Sequence, residues 1–302
     1  MADGGRVAYL VTSYKLPGQV LRLARTLRAG SADAAIVVHH DDRRSSVDRR
    51  ELGALRVELV EPPSVAEWGE PSQLLMVLRC LRWLLARVEF DWVVLLSGQD
   101  YPIRPVGEIE RGLAAADFDA FVETRPVDPQ SRDEFARRYY WRWRRVPPGA
   151  GGIAKVAARG GLVHFRAMPT GSWVGMRTRR TPFGPDLVCH RGSDWFTLSR
   201  RAVEAVDRFV ADRPDVLAHY RRTLIPTESF VQTVLANDPS LRLSGDYRRF
   251  MIWDPPPAGA PRVLRMTDLD AILASGADFA RKFDETVDAA VLDEIDRRVH
   301  GR

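Results

Sequence analysis

The 302-residue sequence predicts an α/β fold, a mostly parallel central sheet with helices on both faces. Two observations carry that expectation. Across the first 125 residues, short apolar runs alternate with longer helical patterns, the rhythm of strand–helix–strand units. Hydrophobic residues make up 45% of the chain, enough for a substantial core and too many for a disordered chain.

The elements follow in order. Residues 7–11 read as a buried strand and residues 18–27 as the helix after it. Residues 35–38 and 57–60 form the next two strands. Between positions 73 and 88, Leu74, Leu75, Val77, Leu78, Leu81, Leu84, Leu85 and Val88 recur at helical spacing, and Pro71-Ser72 suits the start of that helix. Residues 93–96 and 120–122 complete the strands of this half. From about 126 to 190 the rhythm is lost. That stretch holds Arg137 to Arg145 with Tyr139, Tyr140, Trp141 and Trp143, then Pro147-Pro148 and several glycines, and reads as a loop-rich insertion. Order returns over 194–198, followed by helices over 200–210 and 228–235, a strand near 250–253 ahead of a proline turn at 255–257, and a last helix over 286–298. The length fits one large domain or two intimate ones, and a single domain is expected.

Basic residues exceed acidic ones by 45 to 40, for a net charge of +5. Two readings stay open: a preference for Arg, or an anionic ligand such as a nucleotide diphosphate. The aromatic and basic stretch 137–145 suits a single-stranded nucleic acid, but so small a net excess speaks against that partner. Cys80 and Cys189 are the two cysteines; Cys80 sits in an apolar helical run as a buried thiol, and no disulfide framework is indicated. No apolar leader and no run of about 18 apolar residues is present, so the expectation is a cytoplasmic protein without a membrane span.

In open α/β sheets ligands gather outside the carboxyl ends of the strands, which directs attention to the segments after Val11, Val38 and Leu96. The last ends in Ser97-Gly98-Gln99-Asp100-Tyr101-Pro102. A lone Asp100 there suits hydroxyl recognition but is a poor Mg²⁺ or Mn²⁺ site, so no essential metal is expected; Asp100 with Pro102 also suits a plain turn. Asp117-Phe118-Asp119 has metal-type spacing but precedes a strand. His39 and His40 point to opposite sides of an extended chain, which disfavours a shared ion; Asp41 suits nucleotide recognition or a solvated strand exit.

Further on, Asp194 stands between Ser193 and the aromatics Trp195 and Phe196, a combination that suits a sugar site or simple core. Thr227 and Glu228 read as the cap and first turn of a helix. Glu228 is either a dipole-compensating carboxylate or a rigidly held general base, which a poorly nucleophilic hydroxyl requires. Arg281 and Lys282, between Phe279 and Phe283, could meet the negative charge of a departing diphosphate; so could Arg262 or Arg265.

These pieces in this order resemble the core-2/I-branching β-1,6-N-acetylglucosaminyltransferase family, which also holds the peptide O-xylosyltransferases. The resemblance rests on Val38-His39-His40-Asp41, Trp68-Gly69, Leu96 to Ile103, Gly192 to Phe196, Thr227 to Phe230 and Phe279 to Asp284. It implies a GT-A-like fold, a UDP-sugar donor, inversion at the anomeric carbon, and no metal or other cofactor. It implies Glu228 as base and Lys282, with Arg281, on the donor diphosphate. It puts Asp100, and with it Asp194, in the donor site. Asp41, Ser97, Trp195, Arg262 and Arg265 complete the expected donor residues, and Trp141 and Trp143 the acceptor residues. Residues 1–125 would be a nucleotide-binding half and 191–302 an acceptor and catalytic half. The sequence resembles a soluble bacterial member, and Gly192 to Leu235 is nearer the xylosyltransferase branch. Ser13-Tyr14-Lys15 stands where relatives carry a histidine. The expected donor sugar is N-acetylglucosamine, with xylose or another hexose as alternative, and the hydroxyl acceptor is unknown: a protein, a glycan or a natural product. A catalytically inactive sugar-nucleotide-binding module is the non-enzyme alternative.

Overall fold

Alternate residues of the central strands face two separate cores, which is why their apolar runs are unbroken. The computed structural model describes residues 5–147, 149–158, 163–178, 180–255 and 260–301. The first half runs β1 (Val7–Ser13), α1 (Pro17–Gly30), β2 (Ala35–His40), α2 (Arg49–Ala54), β3 (Val57–Leu59), α3 (Pro71–Arg87), β4 (Trp92–Ser97), β5 (Asp100–Pro102), α4 (Val106–Ala114) and β6 (Ala120–Val122). Then come β7 (Arg125–Pro126), α5 (Glu134–Tyr139), β8 (Trp141–Arg145), α6 (Gly151–Ala158), β9 (His164–Met168), β10 (Gly171–Arg177) and β11 (His190–Arg191). The last third holds β12 (Phe196–Ser199), α7 (Arg200–Asp212), α8 (Pro214–Tyr220), α9 (Phe230–Ala236), β13 (Leu243–Ser244), β14 (Arg249–Phe250), α10 (Leu269–Ala274), β15 (Phe279–Arg281) and α11 (Ala290–Ile295).

The main sheet has the order β13-β6-β12-β4-β1-β2-β3. β1 runs parallel to β2 and β4, β2 to β3, and β13 to β6. β12 alone is reversed, antiparallel to both β4 and β6. On one face Ala8, Leu10, Val37, Val93 and Leu95 pack with Leu74, Val77, Leu81 and Leu84 of α3 and with α7 and α9. On the other, Tyr9, Val11, Ile36, Val38, Val94 and Leu96 pack with Leu23 and Leu27 of α1 and with α4 and α11. The α/β fold with a mainly parallel sheet and helices on both faces is the one the sequence predicts.

Three expectations need correction. The stretch 126–190 is not merely loop: β8, β10 and β9 form a three-stranded antiparallel sheet. Its Trp143 and Trp173 make a third small core with Leu224 and Ile225, which precede the Pro226–Glu228 turn. The helix expected over 286–298 is replaced by α11 and a π-turn, Asp296–His300, because the Asp284 carboxylate and carbonyl hold 284–288 in turns. The strand near 250–253 is only β14, followed by an isolated bridge from Trp253 to Pro261. Pro148 and residues 256 and 257 of the proline turn lie outside the described residues.

Candidate functional site

Because β12 is reversed, its entrance lies on the same edge of the sheet as the exits of β1, β2 and β4. Thr12 pairs with Ser97, Ser13 with His40, and Thr197 with Val94. That edge therefore gathers Ser13, His40, Asp41, Ser97, Asp194 and Trp195.

One end of the edge is cationic. The loop after β4 folds back: Asp100 accepts from the Ser97 amide at 2.8 Å and from the Ser97 hydroxyl. The C-terminal segment is stitched onto this loop. Phe283 donates its amide to the Gln99 carbonyl (2.9 Å), Gln99 Nε2 donates to the Phe283 carbonyl (2.9 Å), and Gln19 Nε2 reaches both Gly98 and Phe283 carbonyls. β15 thus lies antiparallel on β5, with Arg281 opposite Asp100. Arg281 Nε stands 3.6 Å from Asp100 Oδ2, and its Cζ lies 4.1 Å from the Trp195 ring centre. Burial lowers the Lys282 pKa, and the positive charges of Lys15 and Arg281 lower it further. Such mutual repulsion is relieved when an anion enters.

The other end is acidic. Burial raises the Asp194 carboxyl, against the pull of Thr227, Arg281 and Arg138. Glu228 is pushed up to about 7, by burial first and by Asp194 second, with Arg138 opposing. Arg138 Nη1 donates to Glu228 Oε2 at 2.5 Å, and the Glu228 side chain is 26% exposed. Buried polar atoms without a hydrogen-bond partner collect here: Asp194 Oδ1, Gln232 Oε1, Arg138 Nε and, at the cationic end, Asp100 Oδ1. Buried polar groups are nearly always paired, so this concentration makes the edge the candidate place for a polar ligand.

Glu228 is not where the sequence suggests. It ends a 3₁₀ turn, Pro226–Glu228, instead of opening α9, and Thr227 makes no cap. The cause is local. Ile225 is left-handed (φ 49°), Pro226 opens a tight turn, and Ser229 turns its hydroxyl to the His190 carbonyl (2.6 Å) in place of capping. Two glycines fix that turn. Ile225 donates its amide to the Gly69 carbonyl (2.8 Å), and Gly69 has φ +75°. Gly192 donates its amide to the Glu228 carbonyl (2.9 Å), and a Cβ there would lie 1.8 Å from the Glu123 oxygen.

The other expected residues fare unequally. Ser97, Asp100, Asp194, Arg281, Lys282 and Glu228 line one edge. Asp41 is 5% exposed and held near pKa 2 by hydrogen bonds from Arg43. Trp195 is 8% exposed and lies under Arg281, so it supports that guanidinium and does not offer a free face to a sugar. Arg262 is engaged by Asp268, and Arg265 is exposed, although Leu264 between them donates to the Lys282 carbonyl (2.9 Å). Trp143 is 3% exposed, packs over Gly175 and donates to the Arg137 carbonyl (2.9 Å); it is core and is withdrawn as an acceptor contact. Trp141 is half-buried against His164. Sequence reasoning missed Arg138 and Arg249. Arg249 is buried, with Cζ 4.7 Å from the Phe279 ring centre, and donates to the Leu95 carbonyl at 3.2 Å. The only signal for Arg138 was its spacing of four from Glu134.

The mainly parallel sheet with its one reversed strand and helices on both faces sets the class: an α/β protein consistent with a GT-A-like glycosyltransferase fold. Residues 7–145 match the family model described as Core-2/I-Branching enzyme. The chain is 27% identical, over 98% of its length, to beta-glucuronosyltransferase GlcAT14A of Arabidopsis thaliana, of which it covers 65%. It is also 27% identical, again over 98% of its length, to xylosyltransferase 2 of Homo sapiens and to xylosyltransferase oxt of Drosophila melanogaster, covering 34% of each. The chain thus spans about two thirds of the plant relative and one third of the animal ones, and the similarity reaches beyond 145 to the Glu228 and Lys282 segments. Among the described residues no helix is long and apolar enough to cross a membrane.

Proposed function

We propose that this chain is an inverting, metal-independent glycosyltransferase that moves a sugar from a UDP-sugar to an acceptor hydroxyl. Glu228 takes the hydroxyl proton as the oxygen attacks the anomeric carbon. The new glycosidic bond forms on the face opposite the breaking bond to the diphosphate, and UDP leaves with that bonding pair. Arg281 and Lys282 meet the growing charge. The observation that carries this reading is the Glu228 carboxyl, raised to about 7 on the edge that also bears the two cations. A general base works best with its pKa near the working pH, and an inactive binding module has no need of one. Metal independence is supported by the fixed cations and by Asp100, whose Oδ2 is taken by Ser97 and faces Arg281. N-acetylglucosamine, expected from the sequence, is joined by xylose and glucuronic acid, the sugars in the relatives' names.

The test is UDP release from UDP-N-acetylglucosamine, UDP-xylose and UDP-glucuronic acid over a panel of hydroxyl acceptors, with and without EDTA. One donor turned over in EDTA, and slowed about 10²–10⁴-fold by Glu228→Gln with UDP binding retained, is the expected result. Wild-type turnover in Glu228→Gln would refute the base. Loss in EDTA restored by Mn²⁺ would refute metal independence.

A further inference from the structure

Glu228 is held from across the fold. Arg138, 90 residues earlier, takes its Oε2, and Oε1 accepts no hydrogen bond from the described residues. The Arg138 side chain is 10% exposed and its second fork nitrogen, Nη2, binds Glu134 one helical turn back. Glu134 in turn accepts from Arg166 Nη2 of β9 at 2.5 Å. The Phe135 ring centre lies 5.1 Å from Arg138 Cζ and 3.7 Å from Arg191 Cζ. The result is a line of alternating charge, Arg166, Glu134, Arg138, Glu228, of which only the last lies outside 126–190. The same segment grips the turn beneath the carboxylate: the Tyr139 hydroxyl donates to the Ile225 carbonyl at 3.3 Å, and the Trp143 amide to the Arg222 carbonyl at 2.7 Å.

We propose that Arg138, tethered by Glu134, is a positioning residue for Glu228. It occupies one carboxylate oxygen, leaves the other free to take a proton, and puts the proton affinity of the base under control of the segment 126–190. The proposal rests on Glu228 as base. A bidentate-capable guanidinium anchored at its far end fixes direction as well as charge, and the two carboxylates together offset the desolvation of the buried Arg138.

The groups facing Glu228 are Arg138, Glu134 and the neutral Tyr139 from α5, and Asp194 from the turn before β12; Arg166 stands behind Glu134. Arg138 favours the ionised form of Glu228, while Asp194 and Glu134 disfavour it. The two ends of the tether therefore act with opposite sign. The experiment is a carbon-13 NMR titration of the full chain labelled at glutamate carboxyl carbons, with Glu228 assigned by its absence in Glu228→Gln. Arg138→Met should raise its midpoint by about 1–3 pH units, the range for loss of an adjacent opposite charge. Arg138→Lys should return part of that shift, and Glu134→Gln should lower the midpoint. The acidic limb of UDP release should move the same way in each variant. If Arg138→Met fails to fold, Glu134→Gln decides, since Glu134 is half-exposed. An unmoved midpoint, or movement in the same direction in both variants, overturns the proposal. Midpoints that move as expected in a chain that turns over no UDP-sugar support the tether and overturn the glycosyltransferase reading.

Discussion

Acidification should switch the reaction off at an unusually high pH. As the proposed base, Glu228 must be ionised to accept a proton, and its carboxyl is pushed up to about 7 from an ordinary 4.5 by burial and by Asp194. A group titrating at about 7 is about 90% ionised at pH 8 and about 10% at pH 6, so kcat/KM should fall roughly tenfold across that interval. A glutamate at its ordinary value would lose almost nothing there. The same carboxyl leaves a mark on stability. Its folded pKa lies above its unfolded one, so the folded state binds the extra proton between pH 4.5 and 7 and stability declines as pH rises through that window. At 1.36 kcal/mol per pH unit, the loss by pH 8 is about 3 kcal/mol, and Glu228→Gln should flatten that part of the profile. The assays are UDP release and denaturant unfolding, each from pH 5 to 9. A kcat/KM profile level down to pH 5, with the same stability slope in wild type and Glu228→Gln, would refute the reasoning.

Lys282→Ala should lower turnover about 10²–10³-fold, the usual effect of losing one preorganised electrostatic donor, and weaken UDP binding by calorimetry. Lys282→Arg should restore only part, because a planar fork places its charge differently. Gly192→Ala forces a Cβ to 1.8 Å from the Glu123 carbonyl oxygen; the loop must shift, with about 1–3 kcal/mol lost in denaturant unfolding and turnover lost with it through Asp194 and Glu228. Trp143→Ala should cost about 3–5 kcal/mol of stability, as for other buried large aromatics, while a chain that unfolds like wild type would return Trp143 to the surface.

Much of the frame was legible because each central strand is an unbroken apolar run. β1, β2, β4 and β6 lie where the runs fall, and α3 follows the leucine spacing. Direction was not legible: Phe196 to Ser199 reads the same whether the strand runs with β4 or against it. The sheet β8-β10-β9 is not legible although Trp141 to Arg145 has the period-two pattern of a strand, because Arg142, Arg144 and Arg145 give the segment the charge of a solvated loop. At the site, Asp100, Asp194, Glu228, Arg281 and Lys282 were visible as chemically suited residues beside strand ends. Their partners were not. Nothing local ties Arg138 to a carboxylate 90 positions away, and nothing in the sequence says that Arg262 turns to Asp268.

The reversal of β12 has a consequence for how such a chain can change. The polypeptide leaves the main sheet at Val122 and rejoins it at Phe196, and these two residues are direct neighbours across the ladder. Everything in 123–195 is a detour that starts and finishes at one point. Lengthening such a detour carries only a logarithmic entropic penalty, about 0.6 kcal/mol for each doubling, and leaves the strand register on either side untouched. The stretch that grips Glu228 can therefore change length at its exposed parts with little entropic penalty, while the ladder beneath it stays constant.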